Sequence, residues 1–119
     1  MRRVVLGIVA GAVTALVVAV GALGGTAAPE PQRVAVGMTE FKFTVAPKTV
    51  RKGAVITFAV TNKGGIAHNL KIAAKKTSVI AAGNRGTLKV TFQKAGRFAF
   101  LCTLPSHADA GMKGVLIVK

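Results

Sequence analysis

The 119-residue chain has no tryptophan or tyrosine, one cysteine, two histidines and three acidic residues, Glu30, Glu40 and Asp109. Each shortage removes a class of function. A single cysteine excludes a disulfide framework within the chain, and with it any zinc site that needs two or more thiolates. Three acids with no paired carboxylates leave few candidates for general acid–base hydrolysis, and no glycine-rich phosphate loop follows an expected strand. The 17 Lys and Arg residues give a net charge of +14, normally a hint of nucleic acid, but without Tyr or Trp there is little to stack on bases. A Cys and His pair could serve a thiol hydrolase, yet Cys102 falls at the end of an expected strand, not at a helix N-terminus where thiolates are usually activated. The residues therefore point away from an enzyme.

The apolar residues are unevenly spread. Residues 1–28 carry Arg2 and Arg3, then 25 residues without a charge, ending in small residues. That order is the mark of a secretory signal, and cleavage after Ala27 would place Gly25 and Ala27 at the two small positions. An uncleaved anchor is the competing reading, since residues 4–28 as a helix would reach about 37 Å, enough to cross a hydrocarbon core of about 30 Å. Either way the arginine end stays in the cytoplasm and the rest emerges outside: periplasmic, cell-surface or secreted. Removing Arg2 and Arg3 leaves 15 cationic residues against three acids, or +12, on residues 29–119. Acidic proteins, anionic lipids and an anionic cell envelope are the partners such a charge suits.

Residues 29–32 (PEPQ) read as a linker, because two prolines and no apolar residue cannot nucleate a regular element. Beyond it the apolar period is two. Phe41, Phe43 and Val45 alternate with Lys42 and Thr44, Ile56, Phe58 and Val60 with Thr57, Ala59 and Thr61, and Leu88, Val90 and Phe92 with Lys89 and Thr91, which predicts half-buried strands. Further short extended runs are expected at 33–37, 49–51, 68–72, 79–82, 97–102 and 114–119, with Gly, Pro and Asn between them. Many short strands at turn spacing predict an all-β Greek-key sandwich spanning residues 33–119. Residues 73–82 could hold a helical turn as easily as a strand.

Strand parity places the chemistry. Phe98, Phe100 and Cys102 share one face of their strand, and His68, Leu70 and Ile72 share one face of another, so the thiol and the imidazole should both point inward. His107 and Met112 follow Cys102 at successive five-residue steps, and a loop of that length can return sulfur, nitrogen and thioether to one point. One thiolate, two imidazoles and a weak thioether match a trigonal copper site with a long axial methionine, with His68, Cys102, His107 and Met112 as ligands. Singly, each of these residues has an ordinary structural role; together they include the only cysteine and both histidines of the chain.

With Cys102-Thr-Leu-Pro-Ser-His107-Ala-Asp-Ala-Gly-Met112, Ala67-His68-Asn69 upstream and a strand opening Glu40-Phe-Lys-Phe, the chain resembles the cupredoxins, the small type 1 blue copper proteins of the plastocyanin and azurin kind. The resemblance covers nearly all of residues 33–119. It implies one type 1 copper ion held by those four residues, and an amide at Asn69 that ties the two ligand loops together through Thr103. It also implies a monomeric single-electron carrier working between redox proteins, such as a cytochrome or oxidase, and here an acidic one. A module that stores or delivers copper would use the same ligands. The spacing of four residues between Cys102 and His107 and four more before Met112 is longer than in some members, so the subfamily does not carry over.

Overall fold

The computed structural model describes residues 29–119; the signal or anchor expected over residues 1–28 lies outside them. The period-two runs become strands: β1 (Gln32–Thr39), β2 (Lys42–Ala46), β3 (Thr49–Val50), β4 (Val55–Asn62), β5 (Lys71–Ile72), β6 (Lys75–Lys76), β7 (Arg85–Thr91), β8 (Gly96–Leu101) and β9 (Lys113–Val118). They form two sheets, ordered β2-β1-β4-β7 and β3-β9-β8-β5-β6. The described residues contain no helix, and none long and apolar enough to cross a membrane.

Alternation is strictest in β4, where Ile56, Phe58 and Val60 are buried between partly exposed or exposed neighbours. Val34, Val36 and Met38 of β1 meet them in parallel register, and Leu116 and Val118 of β9 close the core from the second sheet. Burying each such side chain contributes about 1.5–3 kcal/mol. Asn62, the last residue of β4, is buried as well. Its amide donates to the Ile66 and Ile80 carbonyls (2.8 and 2.9 Å) and accepts from Gly64 N–H (2.9 Å). A buried amide is stable only when so satisfied, and here it shapes the loop leading to His68.

Three expectations change. Residues 68–72 do not form a continuous strand: only Lys71–Ile72 pairs as one, while His68 makes an isolated bridge to Ile80, the only part of 79–82 that is paired. Residues 73–82 hold no helical turn. Ala73 and Ala74, with φ of 48° and 61°, make the tight turn of a β5–β6 hairpin. Phe41 does not share the inward face of Phe43 and Val45, because the chain turns at Glu40 and Phe41 before β2 begins.

Candidate metal centre

Four pieces of chain converge at one end of the sandwich. The β1–β2 turn supplies Glu40 and Phe41, the segment after β4 supplies His68, the end of β8 supplies Cys102, and the loop before β9 supplies His107 and Met112. That loop is folded on itself by backbone hydrogen bonds. Met112 N–H donates to the His107 carbonyl (3.1 Å), Cys102 N–H donates to the Met112 carbonyl (3.1 Å), and Ala110 N–H donates to the Ser106 carbonyl (3.1 Å). Gly111, at φ 114°, takes a backbone conformation that side-chain-bearing residues rarely adopt. The five-residue steps seen in the sequence are thus the steps of a closed loop.

His68 and Cys102 are fully buried, Met112 is fully buried, and His107 is half-buried, which makes it the ring nearest solvent. The donor atoms of His68, Cys102 and His107 all lie within 4.8 Å of one another. His107 Nδ1 stands 3.2 Å from His68 Nδ1 and 3.5 Å from Cys102 Sγ. Two imidazole lone pairs and a thiol sulfur facing each other at such distances call for a proton or a cation between them. A borderline-soft donor set of two imidazoles and a thiol suits copper.

Sequence reasoning missed what holds His68. Glu40 Oε1 lies 3.2 Å from His68 Nε2 and also accepts from Gly65 N–H (2.8 Å) and Ile66 N–H (3.1 Å). Desolvation opposes ionisation of Glu40, but the hydrogen bonds from Gly65, Ile66 and His68 outweigh it, and the carboxyl is held below its ordinary value. An ionised carboxylate only accepts, so the His68 proton sits on Nε2 and Nδ1 presents a lone pair to the centre. A Cβ on Gly64 would overlap the Glu40 carboxylate. The available signal was scarcity: one of three acids stood in the opening motif of β2. Phe41 was also missed as a site residue. Its ring meets both imidazoles edge-on, 4.9 Å from His107 and 6.5 Å from His68 between centroids.

The expected tie between the ligand loops is present. Asn69 Nδ2 donates to Thr103 Oγ1 and Thr103 N–H donates to Asn69 Oδ1, both at 2.7 Å. Asn69 is nine-tenths or more buried, although strand parity alone would have turned it outward.

This fold and donor set define a class, the cupredoxin-like copper proteins, and residues 9–118 match the family model of the cupredoxin-like domain, so the chain belongs to that family. Among named relatives, it is 32% identical over 117 residues to the copper-resistant cuproprotein CopI of Rubrivivax gelatinosus, across 80% of this chain and 71% of that one. Its fold is similar to auracyanin B (TM-score 0.64, 20% identity, 80% of this chain and 92% of that one). It is also similar to auracyanin A, a blue copper protein of Chloroflexus aurantiacus (TM-score 0.62, 18% identity, 75% and 99%). The same fold recurs within multicopper oxidases. The cofactor is one type 1 copper ion, and His68, Cys102, His107 and Met112 are positioned as such a site.

Proposed function

We propose that the chain is an exported single-electron carrier in which His68, Cys102 and His107 are the equatorial copper ligands and Met112 is the weak axial one. The observation that carries this reading is the convergence of two imidazole nitrogens and one thiol sulfur within 4.8 Å in a cluster that is buried except at His107. Copper bound there would supply reversible one-electron chemistry between its two oxidation states. The protein's own contribution is rigidity: Asn69 and Thr103 lock the two ligand segments, Glu40 fixes the His68 ring, and the closed loop fixes Cys102 relative to Met112. A site that cannot rearrange favours transfer over catalysis at the metal, and the chain's two histidines provide no ligands for a second copper centre, so it is read as a carrier and not an enzyme. His107 is the natural exit, flanked by half-buried Leu104 and Ala108 and by exposed Pro105, Ala110 and Phe41.

Residues 1–28 are read as the export signal or a membrane anchor, 29–32 as a lead-in whose last residue, Gln32, already pairs in β1, and 33–119 as the copper domain. The partners are redox proteins outside the cytoplasm. The likeness to a copper-resistance protein favours a second reading, in which the chain binds copper to store or deliver it. A visible spectrum of the copper-loaded protein tests the site, because thiolate-to-copper charge transfer makes it intensely blue. Retention of copper under chelator challenge with fast, reversible redox cycling supports the carrier; ready release of copper supports the handling role.

A further inference from the structure

The pole away from the ligand loops gathers charge. β8 begins there at Gly96, β9 ends there at Val118 and β3 ends there at Val50, with Gly96 paired to Val118 and Val118 to Val50. Lys94 therefore precedes, and Lys119, Arg51 and Lys52 follow, the same ends of three adjacent strands, a span of about 10 Å at about 4.8 Å per strand. Lys52 N–H donates to the Lys119 carbonyl and Gly53 N–H to the Phe92 carbonyl, both at 2.8 Å, which ties the segments together. Arg33 and Arg97 flank the cluster on the outer faces of the two sheets, because their neighbours Val34 and Phe98 pack on the core. All six cations are exposed, and so is Val55 (44%), which opens β4 at the same end. Among the described residues none of the six is in an ion pair. Glu30 and a terminal carboxylate at Lys119 offset at most two of them, while Glu40 and Asp109 lie at the opposite end, beside the metal centre.

The described chain starts inside this cluster: Pro29 packs beside Gly53, and the Gln32 side chain accepts from Arg51 N–H (2.6 Å). Residues 29–31 reach at most about 11 Å when extended. An anchor ending at Ala28 would thus hold the six cations about as close to a bilayer as the Debye length of about 8 Å, the range over which its surface charge acts. Their sign is the one that lipid phosphates attract, and Val55 adds apolar contact. From these observations we infer that this pole is a docking surface for the headgroups of anionic phospholipids. Each cation brought near such a surface is worth about 5-fold in affinity, and salt screens the whole set together. The inference takes from the proposed function only that the domain is exported, and nothing from its copper.

A lysine footprint tests it. The copper-free protein, with residues 1–28 in place or removed as the producing cell leaves it, is held with vesicles of phosphatidylcholine alone or with added phosphatidylglycerol. It is then treated briefly with an acetylating ester and digested for mass spectrometry. Comparing the two lipids cancels whatever insertion of an anchor contributes by itself. Phosphatidylglycerol is expected to slow acetylation of Lys52, Lys94 and Lys119 about 5-fold and that of Lys42, Lys63 and Lys113 less than about 2-fold, with the difference gone at high salt. The variant R33Q/R51Q/R97Q leaves the three reporters in place and should lose most of their protection. K42Q/K63Q/K113Q, which removes the same charge at the metal end, should keep it. Slowing spread evenly over all lysines, or centred on Lys42, Lys63 and Lys113, overturns the proposal. Equal loss in the two variants would show that only net charge matters, with the same result. Slowing by soluble poly-L-glutamate but not by the vesicles would assign the pole to an acidic polymer or protein and overturn the lipid. The footprint needs neither copper nor export, so a pole protected by lipid in a protein that the cell retains in its cytoplasm removes the export reading and leaves the surface.

Discussion

Asn69 and Thr103 hold each other through two hydrogen bonds of 2.7 Å, one donated by the Asn69 amide and one by the Thr103 backbone. Asn69 follows His68 and Thr103 follows Cys102, so this pair sets the spacing of the two segments that bear an imidazole and the thiol. Asn69→Ala leaves the Thr103 N–H without its partner. The metal-free protein should lose about 1–3 kcal/mol of stability in a denaturant titration, and copper affinity should fall about 10- to 100-fold in a competition assay. An unchanged variant on both counts would mean that the loops are held by backbone alone.

Glu40 gives a pH signature. A carboxyl whose folded-state pKa is lowered stabilises the fold above its ordinary value of 4.5, and that contribution disappears as the pH drops through the lower folded value. Metal-free protein should therefore lose stability on acidification below about pH 5, and Glu40→Gln should flatten that part of the profile. The effect should be modest, because more than a third of the Glu40 side chain is exposed. Melting temperatures of the two proteins between about pH 3 and 7 provide the comparison.

Removing the sulfur ligands separates their roles. Cys102→Ser should abolish the blue band of the copper-loaded protein. Met112→Leu should leave copper bound while shifting the reduction potential, because an axial thioether tunes such a site more than it holds it. A blue band that survives at Cys102→Ser would overturn the ligand assignment.

The β5–β6 turn offers a stabilising change away from the centre. Ala73 and Ala74 both adopt positive φ, which costs an alanine about 1 kcal/mol or more, whereas Asn-Gly favours this two-residue turn. The double substitution A73N/A74G should raise stability by about 1 kcal/mol, or a melting temperature by about 4–8 °C. An unchanged or lowered melting temperature would show that other contacts set this turn.

Much of this was legible in the chain itself. The inward parity of Cys102 and His68 and the five-residue steps to His107 and Met112 placed the centre, the period-two runs placed β2, β4 and β7, and the shorter extended runs placed β1, β8 and β9. What could not be read depends on contacts distant in sequence. Phe41 matches the alternation of Phe43 and Val45, but the turn before β2 releases it to cover the imidazoles. Residues 68–72 carry strand-like parity, yet Thr77 satisfies the backbone where pairing lapses: Leu70 N–H donates to its hydroxyl oxygen, and its N–H donates to the Leu70 carbonyl. Glu40 showed only a charge, and its role appears once the 64–66 loop folds over it. Asn62 looks like a turn residue and is instead a fully satisfied buried anchor.

The parallel pairings of β1 with β4 and of β3 with β9 bring both ends of the folded region to the pole opposite the ligand loops. Arg51 N–H donates to the Gln32 side chain there, and Lys52 N–H donates to the Lys119 carbonyl. Strands of six to eight residues separate that pole from His107 by about 20–26 Å. Any tether joined ahead of Pro29 or beyond Lys119 thus attaches at the stern of the molecule and leaves its bow free. Immobilised on an electrode through either end, the protein would present His107 outward, and a short leash would let it swing toward a partner without turning its redox end to the support.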